Sequence, residues 1–144
     1  MGVMGFPRLF QTVLDCTDPR ALAEFYLELL GYEYRPGHEQ VDPAGDDWLV
    51  VCDATGERRL AFQRVAELPE PTWPEGPRPQ MLHLDLAVPT AAELDAQHRR
   101  ALDLGARLLQ DRRDDPDEPL YVYADPAGHP FCIFVGAAAA RGSS

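Results

Sequence analysis

The sequence predicts an α+β fold built from two tandem βαβββ modules. Three observations carry that prediction. Short strand-like apolar runs surround one amphipathic helical stretch, and the set occurs twice. Paired landmarks recur at nearly one offset: LD at 14–15 and 84–85, LG at 30–31 and 104–105, DATG at 53–56 and DPAG at 125–128, spaced 70, 74 and 72 residues apart. Internal similarity at a near-constant period marks a duplicated unit. Between the halves lies AELPEPTWPEGPRPQ (66–80), whose five prolines bar it from a central sheet or a helix interior.

In the first module, LFQTVLDC (9–16) alternates and reads as a strand. TDPRALAEFYLELLG (17–31) follows as a helix. Thr17 or Asp18 can cap it, with Pro19 at its first position. Leu22, Phe25, Tyr26, Leu29 and Leu30 form one apolar face, and Gly31 ends it. YEYRP is a short strand. DWLVVCD (47–53) and RRLAFQRV (58–65) flank the turn ATGE as a hairpin.

The second module repeats the order. MLHLDLAV (81–88) is a strand, and PTAAELDAQHRRALDLGA (89–106) is a helix. Thr90 is its cap, Glu93 the capping-box partner and Gly105 the stop. RLLQD is a short strand, and LYVYAD (120–125) and PFCIFV (130–135) flank the turn PAGH. The whole reads as a single domain: module one over about 6–65, a semi-rigid connector over 66–80, module two over 81–136 and a flexible tail over 137–144. Trp73, in the connector, either anchors it against the body or lines a ligand site.

Composition narrows the function. Hydrophobic content of 45% and charged content of 26% are those of an ordinary globular protein. No apolar run approaches the roughly 20 residues that span a bilayer, and MGVMGFPRLF lacks the features of a secretory signal. A cytoplasmic location is the expectation. The net charge of −11 disfavours nucleic acid and anionic membrane as partners. It suits a cationic ligand, or simply a solvated acidic surface. Cys16, Cys52 and Cys132 are odd in number and contain no CxxC pair, which argues against disulfides and structural zinc.

The paired modules, PTWPEGPRPQMLHLDLAV (71–88) opening the second and DPAGHPFCIF (125–134) closing it, resemble the vicinal oxygen chelate superfamily. More narrowly they are similar to its glyoxalase-like, bleomycin-resistance-type proteins, which are common in actinobacteria. The resemblance spans about Phe6 to Val135. It implies a cupped mixed sheet around a ligand cavity and frequent homodimers. It does not select an activity, because this fold hosts isomerases, dioxygenases, epimerases, thiol transferases and binding proteins.

In metal-using members the resemblance implies ligands on the first and fourth strands of each module: His, Glu or Gln around an octahedral divalent ion. Hard oxygen and imidazole donors suit Mn, Mg, Fe or Ni there. This chain has Gln11 where many relatives carry His. It has Gln63 (or Ala61, if the alignment slips by two) where Glu is usual, His83 matching the family His, and Cys132 in place of Glu. No carboxylate is among the four, and the thiol mixes soft with hard donors. A cavity working without metal is therefore expected, with a divalent ion at Gln11, Gln63 and His83 as the alternative.

Strand parity supports a polar-lined face. His83, Asp85 and Ala87 share one side of their strand, opposite Leu82, Leu84, Leu86 and Val88. Gln11, Val13 and Asp15 group likewise, which leaves Cys16 in the core. Cys132 and Phe134 lie opposite Phe131, Ile133 and Val135, and the family ligand position puts Cys132 in the cavity. His83 then hydrogen-bonds a polar neighbour, Asp85 or Gln11, or pairs with Cys132 as base and nucleophile. His129 ends the turn and points to solvent or the rim, so it does not partner Cys132. His98 reads as a partly exposed helix residue and His38 as a loop residue.

The leading expectation is a protein that binds a small molecule in this cavity, a cationic natural product as in antibiotic resistance. Gln11, Trp48, Gln63, Trp73, His83, Asp85, Tyr121, Tyr123 and Cys132 form its lining. The rival is a divalent-metal lyase, isomerase or dioxygenase, and a dimeric scaffold without ligand is a third reading.

Overall fold

Asp18 starts the first helix by accepting the Ala21 N–H on its side chain at 3.1 Å. Proline follows it at the first helical position. Gly31, at φ 69°, ends the helix in the left-handed conformation that glycine adopts without steric cost. The computed structural model describes residues 5–42 and 46–136. They form two compact units, Met1–Ala66 and Glu67–Ser144. The expected tail at 137–144 lies outside the described residues.

The first unit runs β1 (Thr12–Cys16), α1 (Pro19–Leu30), β2 (Glu33–Tyr34), β3 (Trp48–Cys52) and β4 (Arg58–Arg64). Its sheet order is β1-β4-β3-β2, with β1 parallel to β4 and the other pairs antiparallel. Register puts Leu14 beside Phe62, Phe62 beside Leu49, and Leu60 beside Val51. These residues are buried with Leu22, Phe25 and Tyr26 of α1, and the Tyr26 and Phe62 rings stack at 6.0 Å. Each such side chain contributes about 1.5–3 kcal/mol by leaving water. Cys16 belongs to this core, and its thiol donates to the Gln63 carbonyl at 3.8 Å.

The second unit runs β5 (Leu84–Val88), α2 (Ala91–Leu104), β6 (Arg107–Arg112), β7 (Leu120–Ala124) and β8 (Pro130–Val135), with sheet order β5-β8-β7-β6. Thr90 Oγ1 caps α2 by accepting the Glu93 N–H at 3.1 Å. Leu94 and Ala101 of α2 are buried, as are Tyr121, Tyr123, Phe131 and Ile133 of the sheet. β5 is parallel to β8, as β1 is to β4.

The duplication extends to hydrogen bonds. Asp53 Oδ1 accepts the N–H groups of Thr55 and Glu57 at 2.9 and 3.1 Å. Asp125 Oδ1 accepts those of Ala127 and His129 at 2.8 and 3.0 Å. Gly56 and Gly128 donate to the Asp53 and Asp125 carbonyls at 2.9 and 2.8 Å. The same Asx turn closes both hairpins.

Two strand starts differ from the sequence expectation. β1 begins at Thr12 rather than 9, and β5 at Leu84 rather than 81. Each is an edge strand with one partner, and β8 begins only at Pro130. Met81 and Leu82 precede the first paired residues and stand 91% and 51% exposed, so Leu82 does not join the helix-covered face.

The connector residues 67–80 group with the second unit. Thr72 accepts the Arg78 N–H on its side chain and donates its own N–H to the Arg78 carbonyl, which closes a small loop. Trp73, inside it, packs on Leu120, Val122 and Cys132. Among the described residues no helix is long and apolar enough to cross a membrane.

Candidate functional site

One row of residues crosses the second sheet on the face away from α2. Asp85 of β5 pairs with Cys132 of β8, Cys132 with Val122 of β7, and Val122 with Gln110 of β6. The next row is Ala87, Phe134, Leu120 and Arg112. Parity forces this, since every second residue of a strand shares a face. Above the rows lies a cavity of about 240 Å³, with Trp73, Gln80, His83 and Glu118 completing its walls.

The polar centre is Asp85. The Cys132 thiol donates to Asp85 Oδ1 at 2.9 Å. His83 Nε2 lies 3.1 Å from the same oxygen, the distance of a hydrogen bond donated by the ring. His83, Asp85 and Cys132 thus place three potential ligand atoms within 4.8 Å of one another. Cys132 is 9% exposed. Burial pushes its thiol up to about 12, and the bond to Asp85 adds to the shift. The thiol is therefore held protonated, and His83 is engaged by Asp85. The nucleophile–base pair considered from sequence is not assembled.

The other polar groups are unevenly engaged. The Arg112 guanidinium is turned to Asp115 at 2.7 Å. The Gln80 side-chain oxygen is buried and has no hydrogen-bond partner among the described residues. Asp85, Glu118 and the Gln110 amide make the cavity rich in acceptors.

Tyr121 and Tyr123 do not belong to this lining. Their register partners are Ile133 and Phe131, on the α2 face. His98 stacks on Tyr121 at 3.8 Å, and its Nδ1 lies 2.7 Å from the Tyr123 hydroxyl. Two tyrosines of β7 are thereby spent on seating α2. His98, expected as a partly exposed helix residue, is the polar group that holds them.

In the first unit Gln63 lies beside Asp15 and Trp48, on the face away from α1. Trp48 is 39% exposed and lines a hollow of about 570 Å³ with Gln63 and Arg64. Gln11 precedes β1, and its side-chain oxygen is buried without a partner among the described residues. Asp15 lies four residues from Gln11, about 13 Å along a strand, so Gln63 is not brought beside Gln11. Val13 pairs with Ala61 as Asp85 pairs with Cys132. The helix caps Asp18 and Thr90 stand 72 residues apart, which matches Val13 to Asp85; on that matching register makes Ala61, not Gln63, the counterpart of Cys132, and alanine has no donor atom.

A hard octahedral ion does not fit these residues. The first unit offers Gln11 and an alanine, and the second an imidazole, one carboxylate and a thiol, whose soft sulfur does not suit such an ion. Sequence reading found Trp73, His83, Asp85 and Cys132, which come together, but missed Gln80 and Glu118. Gln80 ends the connector in the stretch that opens the second module, and that proximity to His83 was the available signal.

A family model described as a glyoxalase-like domain matches residues 11–134. No curated protein matches the sequence. Among solved structures, a hypothetical protein from S. aureus is similar at TM-score 0.65 and 17% identity, over 92% of this chain and 100% of that one. A mutant of the fosfomycin resistance protein FosX from Listeria monocytogenes, complexed with Mn(II) and a dihydroxypropylphosphonic acid, is similar at TM-score 0.66 and 17% identity, over 92% and 93%. A glyoxalase/bleomycin resistance protein/dioxygenase family enzyme from Burkholderia phytofirmans follows at 0.63 and 17%, over 87% and 95%. Identities this low speak for the fold alone.

Proposed function

The chain belongs to the glyoxalase-like family of the vicinal oxygen chelate superfamily, and on that premise we propose that its second unit binds a small organic cation without needing a metal ion. The observation that carries this reading is the surplus of acceptors in the cavity. The His83 ring and the Cys132 thiol both meet Asp85, and Arg112 meets Asp115. What remains for a ligand is the Asp85 carboxylate, Glu118 and the Gln110 amide, beside the Trp73 ring. Such a wall asks for hydrogen-bond donors and positive charge. An indole face adds roughly 0.5–2 kcal/mol for a cation, and the net charge of −11 draws cations in. An amine-bearing natural product is the ligand class in view. The same reading includes a homodimer, checked by analytical ultracentrifugation.

The alternative is a divalent-metal lyase, isomerase or dioxygenase at His83, Gln11 and Gln63. It draws on the Mn(II) of the fosfomycin resistance relative. The distance between Gln11 and Gln63 along the sheet, and the alanine at position 61, weigh against it.

The test uses metal-stripped protein in chelator, with Trp48→Phe so that Trp73 alone reports by fluorescence. Benzyltrimethylammonium should bind saturably and neopentylbenzene, its neutral isostere, at least tenfold more weakly. Asp85→Asn should shrink that difference, with Glu118 and the Trp73 face left to hold the remainder. Equal binding of the two compounds, or none of either, would overturn the proposal.

A further inference from the structure

We propose that His83, Asp85 and Cys132 form a zinc site contained wholly within the second unit, in place of the hard octahedral ion that the family resemblance implies. Three features of the cluster carry this.

The first is donor chemistry. An imidazole, a carboxylate and a thiol are all zinc ligands, whereas Mn and Mg favour oxygen. Asp85 and a Cys132 thiolate together balance the charge of the ion. Binding is not a redox step: the zinc–sulfur bond replaces the S–H bond, and one proton leaves to solvent for each ion bound.

The second is geometry. Zinc with sulfur at about 2.3 Å and nitrogen or oxygen at about 2.0–2.2 Å sets its tetrahedral ligands roughly 3.3–3.8 Å apart. The present separations are 2.9 Å for Cys132 to Asp85 and 3.1 Å for His83 to Asp85, with every pair inside 4.8 Å. Shifts of less than about 1 Å would admit the ion. Three protein ligands leave one tetrahedral position open, and these line the cavity.

The third is the frame. Asp85 and Cys132 are direct partners on neighbouring parallel strands, and His83 lies two residues before Asp85. Leu120 and Val122 cluster with Cys132, and Trp73 packs against that cluster. Two of the three ligands are thus set by a hydrogen-bonded ladder and not by loops.

The site goes beyond the cation reading, and the two meet at one point: both occupants need the Asp85 carboxylate, so zinc and an organic cation should exclude each other.

Metal-free protein is titrated with Co(II), a spectroscopic stand-in for zinc. A near-ultraviolet sulfur-to-cobalt charge-transfer band should grow to saturation at one ion per chain. Equimolar Zn(II) should remove it, and excess Mn(II) should not. Cys132→Ser should abolish the band, and His83→Ala should weaken Co(II) binding at least tenfold. No band, a band surviving in Cys132→Ser, or displacement by Mn(II) would overturn the site. Should Cys132→Ser fail to fold, His83→Ala decides, because unchanged Co(II) affinity there is equally fatal. Failure of the cation reading is seen separately, as a silent Trp73 fluorescence titration in chelator, and leaves the cobalt band untouched.

Discussion

Asp85 sits directly across the parallel β5–β8 ladder from Cys132, and the thiol donates to its Oδ1 at 2.9 Å. Two consequences follow for the sulfur. Burial and the adjacent carboxylate both disfavour the thiolate, and burial is the larger cause. Alkylation of Cys132 at mildly alkaline pH, followed by site-resolved mass spectrometry, should therefore be slow in the folded protein. Unfolding should speed it by orders of magnitude, because the thiolate is the nucleophile. Asp85→Asn should raise the folded-state rate several-fold without reaching the unfolded rate. A rate indifferent to Asp85→Asn would mean that burial alone controls this thiol.

His38 accepts the Val50 N–H on its Nδ1 at 2.9 Å, which requires the neutral ring. Burial, with help from Arg35 and Arg20, lowers its pKa below the ordinary 6.5. The unfolded chain then binds a proton that the folded chain resists. The stabilising contribution is complete above about 6.5 and declines as pH falls through the window below it. Urea unfolding across that range should show the decline in the parent protein. His38→Asn keeps an acceptor but has no titrating ring, and its curve should be flatter.

The two equivalent turns should differ in what they tolerate. Asp125 is 4% exposed and its Oδ1 holds two N–H groups. Asp125→Ala leaves those donors with little access to water, and a loss of about 2–3 kcal/mol is expected. Asp53 makes the same bonds at the surface, also meeting Arg59. Water can replace it, so Asp53→Ala should cost less. Chemical denaturation of the two variants measures the difference, and equal losses would mean that burial is not what separates them.

Strand parity made much of this fold legible, and the exceptions have physical causes. Leu14, Cys16 and Cys132 fall on the faces that alternation assigns, because a strand buried on one side leaves little choice. The seating of His83 beside Asp85 follows from the same spacing. Tyr121 and Tyr123 alternate just as regularly. Their side of the sheet depends on β7 being in register with β8, a long-range pairing that composition does not encode. Their hydroxyls suggested a ligand surface, although a tyrosine can equally place its ring in a core and bond its tip to a helix residue. The same limit left Gln63 and Ala61 as alternatives, since the partner of Val13 is a property of the β1–β4 ladder.

Tyr123 supplies the sharpest test of that face assignment. Its ring is fully buried against Phe131, with centroids 5.0 Å apart, and its hydroxyl meets His98. Tyr123→Phe keeps the ring and removes the bond, leaving His98 Nδ1 without that partner. A loss of roughly 0.5–1.5 kcal/mol is expected for one such hydrogen bond, read as a lower urea midpoint at unchanged slope. The cavity lies on the other side of the sheet, so Trp73 fluorescence titrations with benzyltrimethylammonium should match the parent within error. Val122→Ala, one residue away in sequence and facing the opposite side of the sheet, should weaken that titration while leaving the His98 contact intact. If Tyr123→Phe altered ligand binding as much as Val122→Ala, the separation of the two faces would be wrong, and with it the placement of the cavity beside Asp85.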